Sequence, residues 1–225
     1  MSNVLLITGA STGIGAATAR EAAASGWRLG LFARSRDKLD ALAEEIGPER
    51  VEILPGDVSD IGALTEAAGA LEARWGGLHA VFANAGIGAA SPGFEKGDPD
   101  NWRRMIEVNV WGLVATCRAA MPALRRSRGH ALLTGSQAGR RIMKGSVYSA
   151  TKHFVHGFAD NLRDEMTEWG GRCTVIAPGM VDTPFFDSPK PEGLRPEHVA
   201  RSAVWALDQP REVAIGEIYM TPNPD

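Results

Sequence analysis

Short apolar runs alternate with longer amphipathic stretches from one end of this 225-residue chain to the other. Runs rich in Val, Ile, Leu and Ala at Val4–Thr8, Leu29–Ala33, Val51–Leu54, Ala80–Ala83, Ala131–Thr134, Cys173–Ala177 and Glu217–Met220 predict seven strands. Stretches with helical spacing at Ile14–Ser25, Asp37–Glu45, Asp60–Trp75, Asp98–Leu124, Tyr148–Trp169 and Pro196–Leu207 predict the helices between them. Strands separated by helices imply βαβ units and a mostly parallel sheet with helices on both faces, a doubly wound α/β fold. No linker, repeat or low-complexity tract breaks the alternation, so residues 1–225 are read as one domain. The least regular stretch, 182–195, holds prolines, Phe185, Phe186 and a glycine, and reads as a short substrate loop or lid.

Candidate chemistry gathers at the strand ends. The first strand runs into Thr8-Gly9-Ala10-Ser11-Thr12-Gly13-Ile14-Gly15. Glycines at a strand-to-helix junction allow a tight turn and bring backbone N–H groups up to a pyrophosphate at the helix start. The spacing G-x-x-x-G-x-G differs from the commoner G-x-G-x-x-G. The second strand ends in Arg34-Ser35-Arg36, where an NAD site would place an acid for the ribose hydroxyl. Arg34 suits a 2′-phosphate instead and favours NADP over NAD, although Thr12 is not the basic residue some NADP sites carry in the glycine turn. Asp57 follows the third strand; a helix N-cap is the structural alternative, which Ser59 or Asp60 fits better. Asn84-Ala85-Gly86 ends the fourth strand. Asn109 interrupts an apolar helical stretch, as either a local clamp or part of a polar site. Ser136 closes the fifth strand. Tyr148 and Lys152 stand four apart on a helix and so share one face. An ammonium near a phenol favours the phenolate and would pull its pKa toward working pH, making the pair a candidate general acid/base unit.

Composition narrows the classes. A net charge of −3 gives no polyanion-seeking surface, so no nucleic-acid partner is expected. No apolar run reaches the length of a membrane span, and the first residues show no charged leader, so a soluble cytoplasmic protein is expected. Cys117 and Cys173 form no motif and read as buried thiols. No metal ion is expected.

The glycine pattern, Asn84-Ala85-Gly86, the lone helical Asn109, Ser136 at a strand end, Tyr148-x-x-x-Lys152 and Pro178-Gly179-Met180-Val181-Asp182-Thr183 occur in the order found in the short-chain dehydrogenase/reductase family. From Val4 to about Thr183 the chain resembles that family, whose fold is Rossmann-like. The resemblance implies that Gly9, Ser11, Gly13, Ile14 and Gly15 cradle the cofactor phosphates, and that Asp57 and Val58 meet the adenine. Asn84 and Gly86 would lie toward the ribose and nicotinamide, and Thr183 would hold the carboxamide. It implies a catalytic set of Asn109, Ser136, Tyr148 and Lys152: Ser136 hydrogen-bonds the substrate oxygen, Tyr148 passes the proton, Lys152 tunes it and holds the ribose, and Asn109 fixes a water. Ala83 stands where the family often has Asn, Gly135 where it often has Ser, and the Ser-to-Tyr spacing of twelve is one shorter than in many members. These departures bear on pocket shape and substrate. The expected function is hydride transfer between NADP and a carbonyl or secondary alcohol, in a homo-dimer or homo-tetramer joined through the two long helices. The alternatives are an NAD-linked alcohol dehydrogenase and a non-catalytic nucleotide-binding protein, which would be expected to lose Tyr148 or Lys152. Arg140, Arg141 and Lys144 read as a solvated or intersubunit cluster rather than as a lure for an acidic substrate.

Overall fold

A computed structural model describes residues 3–91 and 93–223. Seven parallel strands form one sheet: β1 (Val4–Thr8), β2 (Arg28–Ala33), β3 (Val51–Pro55), β4 (Ala80–Ala83), β5 (His130–Thr134), β6 (Arg172–Pro178) and β7 (Glu217–Met220), in the order β3-β2-β1-β4-β5-β6-β7. All seven predicted strands are present. β1, β4 and β5 are buried along their whole length, as befits strands covered on both faces, which need no polar alternation.

The helices are α1 (Gly13–Ala24), α2 (Arg36–Ile46), α3 (Ile61–Trp75), α4 (Pro99–Ile106), α5 (Leu113–Ser127), α6 (Val147–Thr167) and α7 (Pro196–Leu207). Residues of α1, α2 and α7 share one core with Leu5, Ile7, Leu29 and Leu31. Residues of α3, α5 and α6 share the other with Leu6, Val81, Ala131 and Leu133. α1 packs against α7, and buried alanines of both (Ala16, Ala19 and Ala23; Ala203 and Ala206) belong to the first of these cores, small side chains that allow helices to approach closely. No helix among the described residues is long and apolar enough to cross a membrane.

The helix predicted over Asp98–Leu124 is present but not uniform. Between α4 and α5 the chain makes a π-helical turn over Glu107–Gly112. A π turn fits an extra residue into the helix and shifts the side chains that follow it around the axis. Asn109 sits in that turn, 1% exposed, and Gly112 within it lets the helix come against Val58, which an added Cβ would strike.

The strand order reverses direction at β1, which lies between β2 and β4, and a crevice therefore opens at the carboxyl ends of β1 and β4. Asn84 holds this junction shut from below. Its Nδ2 donates to the carbonyl of Thr8 (3.0 Å), its backbone N–H to Thr8 Oγ1 (3.1 Å), and its Oδ1 accepts from Thr134 Oγ1 (3.2 Å). One side chain thus ties the ends of β1, β4 and β5. Asn84→Ala is expected to destabilise the protein by about 2 kcal/mol, because the Thr8 carbonyl and Thr134 hydroxyl lose their partner. A urea titration should show a lower midpoint with an unchanged slope.

Candidate active site

The glycine turn leads from β1 into α1. Gly9 and Gly13 adopt positive φ (65° and 54°), and a Cβ on Gly15 would sit on the carbonyl oxygen of Gly9. Side chains at Gly9 and Gly15 would collide with Ala85, Asn84 and the turn's own backbone, so glycine lets the turn pack tightly and leaves the unpaired N–H groups at the start of α1 open to phosphate. Thr12, at the N-cap, makes no side-chain capping bond. The residues present therefore fit a dinucleotide.

A cleft of about 390 Å³ runs from this turn across the sheet. Gly9, Ser11, Gly13, Ile14, Arg34, Asp57, Val58, Asn84, Gly86, Ser136, Tyr148, Lys152 and Thr183 line it. Two expected site residues do not appear among its walls. Gly15 lies beneath the turn and acts through backbone approach, and Asn109 lies behind the cleft wall.

At the outer end, Arg34 is well exposed and its Nη1 is 4.0 Å from Asp57 Oδ2. Asp57 Oδ1 accepts from the N–H and hydroxyl of Ser59 (3.0 and 2.8 Å), and Oδ2 from Arg104 (3.0 Å). Burial would push this carboxyl up, but the Ser59 and Arg104 hydrogen bonds outweigh it and hold the pKa below the ordinary value. Asp60, not Asp57, caps α3 through bonds from Gly62 and Ala63. Arg104, which also lines the cleft, carries no sequence signal: it is one charge among several on an amphipathic helix.

At the inner end, Lys152 is 4% exposed, and its Nζ donates to the carbonyl of Thr134 (2.8 Å). Burial lowers its pKa to about 8. Tyr148 is partly buried, one turn earlier on α6, with the ammonium 5.8 Å from its ring centroid. On helical spacing alone, Lys152 should lower the phenol's pKa. Instead, burial pushes it up to about 12, with only Ser136 opposing, because the ammonium is directed at a backbone carbonyl rather than at the phenol. Ser136 Oγ accepts from Ala138 N–H (3.1 Å) and donates to the Pro178 carbonyl (3.4 Å). Asn109 is a clamp. Its Oδ1 accepts from Ile87 N–H (2.8 Å) and its Nδ2 donates to the Ile87 carbonyl (2.9 Å) and Thr151 Oγ1 (3.2 Å). Gly86 lies between Asn109 and Lys152, within 4 Å of both for an added Cβ.

The 182–195 stretch covers this end. The Phe185 ring is 5.6 Å from Tyr148 and closes over Gly88, and Phe186 packs edge-on against it. Asp182 N–H donates to Leu194 O and Leu194 N–H to Met180 O, both 2.8 Å, so the ends of the stretch are clasped. Arg140, Arg141 and Lys144 are exposed, as a solvated cluster would be; Arg140 pairs with Glu217, and Arg141 donates to Gln137 Oε1 (2.9 Å). Both cysteines are buried and free, as expected.

The family model described as short chain dehydrogenase matches residues 3–192. An uncharacterized oxidoreductase of Staphylococcus aureus (strain MRSA252) is 34% identical over 224 residues, covering 97% of this chain and 96% of that one. An alcohol dehydrogenase from the archaeon Thermococcus sibiricus, solved with 5-hydroxy-NADP, superposes with a TM-score of 0.91 at 32% identity over the full length of both chains. Serine dehydrogenase from Escherichia coli superposes at 0.88 with 31% identity over 97% of each. The chain belongs to the short-chain dehydrogenase family, and is an oxidoreductase of that family.

The buried ammonium carries a thermodynamic consequence. The folded pKa of Lys152, about 8, lies below the ordinary 10.5. Below pH 8 both folded and unfolded chains hold the proton, and the fold bears the full cost of burying the charge. As pH rises from 8 toward 10.5 the folded chain sheds it first and stability rises. Lys152→Met should therefore be more stable than wild type at pH 7, by about 2 kcal/mol once the lost Thr134 hydrogen bond is subtracted. It should also lack the wild type's rise in stability between pH 7 and 9.5. Urea titrations at the two pH values decide the matter, and a variant less stable at pH 7 would contradict it.

Proposed function

We propose that this protein reduces a carbonyl to a secondary alcohol with NADPH, the reverse oxidation using the same residues. The observation that carries this reading is that Ser136, Tyr148 and buried Lys152 line the inner end of the same cleft whose outer end holds the glycine turn and the well-exposed Arg34. Similarity to an alcohol dehydrogenase complexed with 5-hydroxy-NADP and to a serine dehydrogenase complexed with NADP+ supports it.

The dinucleotide would supply the hydride. Gly9, Ser11, Gly13, Ile14 and Gly15 would hold its phosphates, Arg34 the 2′-phosphate, and Asp57 with Val58 the adenine. Asn84, Gly86 and Lys152 would border the ribose and nicotinamide, and Thr183 the carboxamide. Ser136, whose Oγ already accepts from Ala138, turns its own proton from Pro178 to the substrate oxygen, where negative charge builds. Tyr148, a neutral phenol because burial holds its pKa near 12, then gives its proton to that oxygen. The resulting phenolate is stabilised by the Lys152 ammonium one turn away. Asn109 keeps the Ile87 segment and α6 at a fixed separation. Ile87, Val181, Phe185 and Phe186 present apolar walls that exclude water and favour an apolar group beside the carbonyl.

The same reading takes the chain as one domain with 182–195 as its substrate loop. It places the protein in the cytoplasm, where two free buried thiols are at home. It joins the chain as a homo-dimer or homo-tetramer through its long helices, which expose Ile106, Trp111 and Phe154.

A panel of aldehydes and ketones assayed with NADPH and NADH at equal concentration tests the reading; no turnover with tight NADPH binding would refute it. Tyr148→Phe keeps the ring but should lower turnover by about 10² or more, with NADPH affinity within a few-fold of wild type. Full activity in that variant would show that the acid is misassigned. Arg34→Ala should raise the Michaelis constant for NADPH about tenfold or more, the scale of a lost charged hydrogen bond, and leave that for NADH nearly unchanged. A wild type that prefers NADH would remove the basis of the cofactor assignment.

A further inference from the structure

Behind Ser136 lies a histidine that the proposed chemistry does not use. His156 sits on α6, one turn beyond Lys152 and two beyond Tyr148, and is 3% exposed. Its Nε2 is 3.3 Å from the backbone carbonyl of Ser136. Its Nδ1 has no hydrogen-bond partner and lies 3.7 Å from Glu217 Oε2 at the start of β7. Both neighbours are acceptors, so the ring's orientation is that of a donor. Its charged surroundings are Arg140 after the turn at Gln137–Gly139, Glu217 on β7 and His153 on α6 itself. Burial leads in lowering its pKa, so near neutral pH the ring is uncharged, and its single N–H serves the nearer acceptor, Ser136.

The packing is as specific as the polar contacts. A Cβ on Gly135 would come 3.0 Å from His156 Nε2, and one on Gly139 2.5 Å from its Cδ2. The ring is therefore wedged between the two glycines that bracket Ser136, and Gly135, where the sequence lacks a second serine, is what makes room for it. The Ser136 carbonyl receives the Gly139 N–H (2.9 Å) as well as the imidazole, so its peptide is held from two sides. Glu217 is in turn anchored by Arg140. The His156–Ser136 contact ties α6 to the end of β5 beneath the candidate hydroxyl.

We propose that His156 is a positioning residue for Ser136: it fixes the peptide that carries the hydroxyl, so that Oγ points at the substrate oxygen rather than wandering with the loop. This rests on the reading of Ser136 given above. A core histidine that merely fills space would affect folding alone; a positioning residue acts on turnover, and only while Ser136 Oγ is present.

The test is a double-mutant cycle with NADPH and the best carbonyl of the panel. His156→Phe, which fills the space without a donor, should lower kcat about tenfold with the NADPH Michaelis constant within twofold of wild type. His156→Gln, whose amide reaches the same carbonyl, should restore kcat to within about threefold. In a Ser136→Ala background, His156→Phe should cost almost nothing further. Should His156→Phe melt below the assay temperature, His156→Leu takes its place as a ring-free variant without a donor, and should lower kcat at least threefold in the wild-type background only. Wild-type kcat in His156→Phe, or an equal loss with and without Ser136 Oγ, overturns the inference while leaving the proposed function standing. Full turnover in Ser136→Ala overturns the role of Ser136 itself, and this inference with it.

Discussion

A buried ammonium with one fixed hydrogen-bond acceptor is the constraint around which the site is arranged. Lys152 can be tolerated in the core only because the Thr134 carbonyl, the last of β5, faces it. The end of β5 that carries this carbonyl is fixed by Asn84, which reaches across from β4 to accept from Thr134 Oγ1. The strand-end pin and the charged site are therefore one structure. Stability is given up at Lys152 and recovered in the sheet, as expected where a fold keeps a costly group for its chemistry.

The pKa values of the inner pair sit apart for the same reason. Desolvation acts on both groups but in opposite senses, lifting the phenol and lowering the ammonium. Under these conditions both groups hold protons at neutral pH, a state suited to donation rather than abstraction. The protonation states thus follow from burial, and the four-residue spacing of Tyr148 and Lys152 by itself contains no such information.

Much of this was legible in the chain itself. Seven strands and the helices between them followed from hydrophobic periodicity, since strands covered on both faces are continuous apolar runs and the helices are amphipathic. The cleft-lining residues followed from their places at strand ends, because an open parallel sheet puts its crevice there. What stayed hidden depends on contacts distant in sequence. Arg104 meets Asp57 across 47 positions, and Glu217 approaches His156 from the last strand. The π turn at Asn109 was hidden for a different reason: it alters backbone hydrogen bonding without changing the apolar pattern. The direction of the Tyr148 shift was misread because proximity along a helix says nothing of where the ammonium's proton is directed.

The clasp at the base of the 182–195 stretch has an evolutionary consequence. Two backbone hydrogen bonds between Asp182, Leu194 and Met180 hold the loop's ends together whatever lies between them. Changing the intervening length alters only the closure entropy, which grows slowly, by about 0.6 kcal/mol per doubling. The residues over the cleft can therefore be exchanged as a cassette, while the sheet and the residues lining the cleft beneath keep their geometry. A lineage built on this scaffold can change what it acts upon without relearning how to act.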